Sequence, residues 1–135
     1  MRKFVLAGML YCLAACSAGE DVPIASKAVV QFHTMLDAGQ NAQIYGNAAP
    51  EMKSAATEAK LTALLAAVHR KLGTVTKAEQ KGWNDQINTS GHFITLNYAT
   101  TYTRGEAAEV FVYKIADGKA QLAGYNVNSD ALIVN

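Results

Sequence analysis

Few residues in this chain have the type and spacing to do chemistry. His33 and Asp37 stand four apart, one helical turn, so a carboxylate could fix the imidazole tautomer and make the pair a general base. The competing reading, which we favour, is a histidine at the edge of a packed helix with a polar neighbour. His69 near a helix C-terminus would serve as a cation against the helix dipole, and His92, after Gly91 in a turn, is expected in solvent. Three histidines without His-Glu-x-x-His, His-x-His or clustered carboxylates give no metal site, and no metal or other cofactor is expected. A phosphate-cradling glycine loop and a Gly-x-Ser-x-Gly elbow are both missing. The remaining candidates are tyrosines. Tyr98, Tyr102, Tyr113 and Tyr125 could converge on a sheet, with Glu109 beside Tyr113. The bland alternative is cross-strand aromatic packing with hydroxyls at the rim. Arg104, Glu106 and Glu109 read as a charged hairpin edge that blocks stray strand pairing or forms a docking rim.

The N-terminus carries a different chemistry. Arg2 and Lys3 precede an uncharged apolar run, Phe4 to Ala15, the pattern of a secretory signal too short to span a bilayer. It ends Leu13-Ala14-Ala15-Cys16, which resembles the lipobox of bacterial lipoproteins. The resemblance implies a diacylglycerol on the Cys16 thiol, cleavage between Ala15 and Cys16, and acylation of the new amine by a chain such as palmitate. One chain alone binds a membrane marginally, at about 0.8 kcal/mol per buried methylene, so two or three would make release slow. Ser17 in place of Asp implies the outer membrane, with the protein facing the periplasm. The expected division is a signal over residues 1–15, a lipidated tether over 16–22 and one domain over 23–135. So short a tether keeps the domain close to its membrane.

Cys12 leaves with such a signal and Cys16 becomes a thioether, so no thiol is left for a disulfide or a nucleophile. Removing Arg2 and Lys3 leaves ten basic against eleven acidic residues, a formal balance of −1. A near-neutral chain without a basic cluster argues against nucleic acid as a partner and against charge as its main hold on lipid.

The elements that must position these groups follow from periodicity. Ala25, Val29, Phe32 and Leu36 mark a helix from Pro23 to Gly39. Asn41 can cap a short helix that Pro50 breaks or restarts. Thr57 can cap a third, with Leu61, Leu64, Leu65, Val68 and Leu72 on one face and Gly73 at its end. The period then changes to alternation. Strands are expected over 75–87, bulged at Gly82, then 92–103, 107–115 and 122–128, with Leu132-Ile133-Val134 extending the last. Ile94, Leu96, Tyr98 and Tyr102 share one face; Glu109, Phe111, Tyr113 and Ile115 share another. Helices followed by strands predict an α+β domain, about three helices on one face of a curved four-stranded antiparallel meander.

The ordered set Phe32, Leu36-Asp37-Ala38-Gly39, Ala48-Ala49-Pro50 and Arg70-Lys71-Leu72-Gly73 resembles the helical half of the DUF4019 domain of bacterial envelope proteins. Gly91, Leu96, Tyr98, Thr100, Tyr102, Arg104-Gly105-Glu106-Ala107, Glu109, Phe111, Gly124-Tyr125 and Asn128-Ser129 follow its strand half. Tyr45 and Leu61 stand where many members carry tryptophan. The resemblance implies a cystatin-like or NTF2-like fold and an envelope location, and it supplies no catalytic residues. In NTF2-like enzymes an acid and a tyrosine polarise a substrate carbonyl inside a cone between sheet and helices, which here would enlist Tyr98, Tyr113 and Glu109. The preferred reading is a non-enzymatic binding module on the outer membrane, for a periplasmic protein partner (an inhibitor or immunity factor being one version) or a small apolar ligand. A small NTF2-like enzyme is the alternative.

Overall fold

A computed structural model describes residues 19–133. Cys16 and the cleavage point after Ala15 lie outside the described residues, as does Val134. No described helix is long and apolar enough to cross a membrane.

Helix α1 (Val22–Asp37) opens with Pro23 in its first turn and buries Ala25, Val29, Phe32, His33 and Leu36. It stops at Gly39, whose φ of +72° lets the Gly39 and Gln40 amides return to the Leu36 and Met35 carbonyls. Short helices α2 (Asn41–Gly46) and α3 (Pro50–Ala55) follow, split where proline restarts the chain. In α4 (Glu58–Leu72) the Thr57 hydroxyl accepts from the Lys60 amide at 3.2 Å, and Leu61, Leu65, Val68 and Leu72 face inward. Leu64, expected on that face, is 39% exposed at its flank.

Strands β1 (Val75–Asn88), β2 (Gly91–Tyr102), β3 (Gly105–Ala116) and β4 (Lys119–Asn128) pair in sequence order, all antiparallel. The fold is therefore α+β, with helices packed against one face of an open four-stranded antiparallel sheet, as the alternation predicted. β1 breaks register twice, at Thr76 and at Lys81, the second beside Gly82. Alternation puts His92, Ile94, Leu96, Tyr98, Thr100 and Tyr102 on the helix-covered face, opposite Glu109, Phe111, Tyr113 and Ile115. Phe111, completely buried, lies at the centre, with the Phe32 ring edge-on at 5.0 Å and the Tyr125 ring at 5.3 Å.

Two elements differ from expectation. Residues 130–133 form a helical turn, α5 (Asp130–Ile133), instead of prolonging β4. Ser129 turns the chain by donating to the Glu106 carbonyl, and Lys71 holds the Leu132 carbonyl at 2.9 Å. The supposed tether is also part of the domain in its second half. The Gly19 amide donates to Asp85 at 2.9 Å, and Asp21 faces His92.

Candidate functional site

Glu109 is the group with most chemical potential, and the structure buries it: 1% of its surface is exposed. It is in phase with Phe111 and Tyr113, so the pleat that buries them carries its carboxylate inward too. Three donors meet it. His33 Nε2 lies 2.9 Å from Oε1, the Tyr102 hydroxyl donates to Oε2 at 2.9 Å, and the Tyr125 hydroxyl donates to the same oxygen at 2.5 Å. Burial alone would raise the Glu109 pKa, but the hydrogen bond and charge of His33, joined by the Tyr125 hydroxyl, overcome it and hold the carboxyl below its usual range. An ionised carboxylate only accepts, so the proton on the shared bond sits on His33 Nε2. Burial, reinforced by the Glu109 charge, pushes the Tyr102 and Tyr125 hydroxyls well above their ordinary range. The network joins α1, β2, β3 and β4 through one carboxylate.

The candidates from sequence are thereby redistributed. Glu109 does not pair with Tyr113, whose buried hydroxyl has no hydrogen-bond partner among the described residues. Tyr98 donates to Gln80 at 3.2 Å, and Gln80 also receives the Ser26 hydroxyl of α1. Tyr98, Tyr113 and Glu109 therefore share a face without converging on one point. His33 is not a boundary histidine. It is 6% exposed and pairs across the core with Glu109, while Asp37 accepts instead from the Val75 amide at 3.2 Å. The charged hairpin edge is also corrected. β2 and β3 are the central strands, Glu109 is buried, and Arg104 reaches back to the Arg70 carbonyl at the end of α4, a cation on the negative end of a helix. His92 is not solvated as expected. It belongs to β2 and bonds Asp85 at 2.5 Å, with Asp21 3.5 Å from its other nitrogen. His69 lies in the last turn of α4 as expected. Among the described residues no group of three or more His, Cys, Asp or Glu could hold a metal ion.

The space between the layers is small. One cavity of about 90 Å³, lined by Phe32, Met35, Ile44, Tyr113 and Leu122 among others, opens between α1, α2 and β4. A larger hollow, about 450 Å³, lies on the opposite face of the sheet, away from α1–α4. Its floor follows from register. Glu79, Ala99, Ala108 and Asn128 stand abreast across all four strands, with Thr101 and Glu106 paired in a neighbouring row. Two alanines in mid-row between longer side chains leave a depression, and Lys77, Ser129 and Asp130 close its rim. Sequence reading missed this site, although the alternation that put Glu109 inside puts Ala108 outside.

No curated protein and no solved structure matches the chain. Residues 28–125, from α1 through most of β4, match the family described as a protein of unknown function, DUF4019. The chain, with its α1-to-β4 frame closed around Glu109, belongs to the DUF4019 family.

Proposed function

We propose that this protein is a lipoprotein, held at the outer membrane by an acylated Cys16 and facing the periplasm. Its domain is a non-enzymatic binding module of the cystatin-like or NTF2-like kind. It docks a protein partner in the hollow over Glu79, Ala99, Ala108 and Asn128. The observation that carries this reading is the hollow itself, about 450 Å³, on the sheet face away from α1–α4, with Asp130 of α5 at its rim. It lies at the strand ends remote from Gly19. Asp85, which holds Gly19, is eight residues along β1 from Lys77 at the hollow's rim, roughly 25 Å at strand rise. A domain tethered at Cys16 would therefore present the hollow away from its anchor. Glu79 and Glu106 in the floor and Asp130 on the rim outnumber the one rim cation, Lys77, and suit a partner that brings Lys or Arg donors.

Two features favour a protein partner over the other readings. The interlayer cavity of about 90 Å³ is well below the roughly 300 Å³ at which ligand pockets begin, which disfavours a small apolar ligand. The Glu109 carboxylate already accepts from three donors and has almost no exposure, which disfavours Tyr98, Tyr113 and Glu109 as a reacting set. An inhibitor or immunity factor is the most specific form of the proposal. A photo-cross-linker at Ala108 in intact cells tests it. The expected result is one discrete envelope-protein adduct, lost when Ala99→Arg fills the hollow; an adduct pattern unchanged by Ala99→Arg refutes it.

A further inference from the structure

We infer that the turn-proximal half of edge strand β1, carrying Trp83 and Ile87, rests on the headgroup layer of the bilayer that anchors the chain. The inference rests on the reading of Cys16 as lipid-bearing and adds the surface by which the domain meets that membrane.

The length of chain before the described residues carries it. Only Ser17 and Ala18 separate Cys16 from Gly19, and a fully extended chain spans about 3.3–3.6 Å per residue. Gly19 would therefore lie within roughly 11 Å of the acylated residue. Gly19 is itself fixed to β1. Its amide is bonded to Asp85, and a Cβ added to it would come within 2.6 Å of the Trp83 ring. The tether has no slack to carry β1 away from the surface.

The residues held there suit that surface. Trp83, Asp85 and Ile87 alternate on one face of the edge strand; Trp83 is 47% exposed and Ile87 76% exposed. Asp85 turns its oxygens to Gly19 and His92, so the charge between the two apolar side chains is spent internally. Tryptophan, with an apolar body and a polar N–H, favours the headgroup region. The rest of this end of the domain is compatible. The His92–Ile115 pairing sets the β1–β2 turn beside the β3–β4 turn, and Lys119 of that turn shares a cleft with Lys27 of α1. The two cations outnumber Asp117, the acid of the same turn, and would face anionic headgroups. A contact this small would be weak in free solution, but a tether of a few residues makes it intramolecular at high effective concentration.

The experiment uses the full chain produced with its signal, purified, and placed in phosphatidylethanolamine–phosphatidylglycerol vesicles with or without brominated acyl chains. Mass spectrometry of the purified protein reads the lipid on Cys16 separately. Trp83 is the sole tryptophan, so its fluorescence reports the contact without labelling. The expected result is a lipidated Cys16, at least two-fold quenching of Trp83 by brominated lipid, and quenching at least halved in Ile87→Glu, whose exposed position leaves folding intact. A lipidated protein with equal Trp83 emission in both vesicles overturns the inference and leaves the anchor standing. An Ile87→Glu variant quenched as strongly as its parent also overturns it, because proximity alone would then explain the signal. A chain without lipid on Cys16 overturns the anchor and the docking together.

Discussion

Replacing Glu109 tests whether one buried carboxylate holds the helical layer on the sheet. In Glu109→Ala, His33 Nε2 and the Tyr102 and Tyr125 hydroxyls all lose their acceptor inside the core. A buried donor left unsatisfied costs about 1–3 kcal/mol, and removing one partner of a buried pair about 3–5 kcal/mol. The terms overlap, so the expected loss is about 4–5 kcal/mol, a large part of the roughly 5–15 kcal/mol that holds a domain together. Glu109→Gln should cost far less. Its amide oxygen can accept from both tyrosines, and its NH2 can donate to His33 once that ring changes tautomer. What remains is the charge assistance of three bonds, partly offset by no longer burying a charge, about 1–2 kcal/mol. Urea unfolding followed by far-UV circular dichroism measures both. At a slope of about 1–2 kcal/mol per molar, the alanine variant should unfold roughly 2–5 M earlier. Acid sharpens the test. The folded pKa of Glu109 is depressed, so its stabilisation is present above the unfolded value of about 4.3 and fades as pH falls through the folded value. Glutamine does not titrate, so the gap between parent and Glu109→Gln should close in that window. The carboxylates of half-buried Glu51 and exposed Glu79, also depressed by their lysine partners, cancel in the comparison. An alanine variant within about 1 kcal/mol of the parent, or a gap that ignores pH, would refute the clamp.

Three further outcomes are expected. Tyr113→Phe should leave stability unchanged or raise it by up to about 1–3 kcal/mol, because it removes a buried hydroxyl with no partner among the described residues, while Tyr102→Phe removes a bond to a charged acceptor worth about 1.5–3 kcal/mol and should destabilise; thermal melts should keep that order. Gly73→Ala should lower stability by about 2 kcal/mol or more, since φ is +84° and a Cβ would strike the Thr103 hydroxyl; a melting temperature unmoved by the change would contradict the geometry. Asp37→Ala should cost about 1 kcal/mol by freeing the Val75 amide, read as faster hydrogen exchange at the start of β1 with the rest of the sheet unchanged.

Most of the layer order was legible in the sequence because it depends on local periods. The switch from three-and-four spacing to alternation falls at Gly73, where the structure makes the same change. Strand phase went further and put Glu109 on the same face as Phe111. What periodicity could not supply was the partner. His33 and Glu109 are 76 residues apart, and no local pattern links α1 to β3. His92 differs for a related reason: a histidine following a glycine at a turn has no local signal of a partner, whereas its bonds to Asp85 and Asp21 come from a neighbouring strand and from the segment before α1. The tail was ambiguous because three apolar residues fit a strand or a helix equally well. Two distant contacts turn it aside: Ser129 bonded to the Glu106 carbonyl and Lys71 bonded to the Leu132 carbonyl.

The row Glu79, Ala99, Ala108, Asn128 has a consequence for how such a domain can diversify. Each residue points away from the core, and Ala99 and Ala108 stand between buried neighbours, Tyr98 and Thr100, Ala107 and Glu109, that fix the fold. Exchanges on that face, kept compatible with a strand, should alter shape and charge while leaving the interior untouched, with stability effects within about 0.5 kcal/mol. The shape and charge of that face can therefore change at almost no cost to the interior, so a fixed core chemistry leaves the outer surface open to variation.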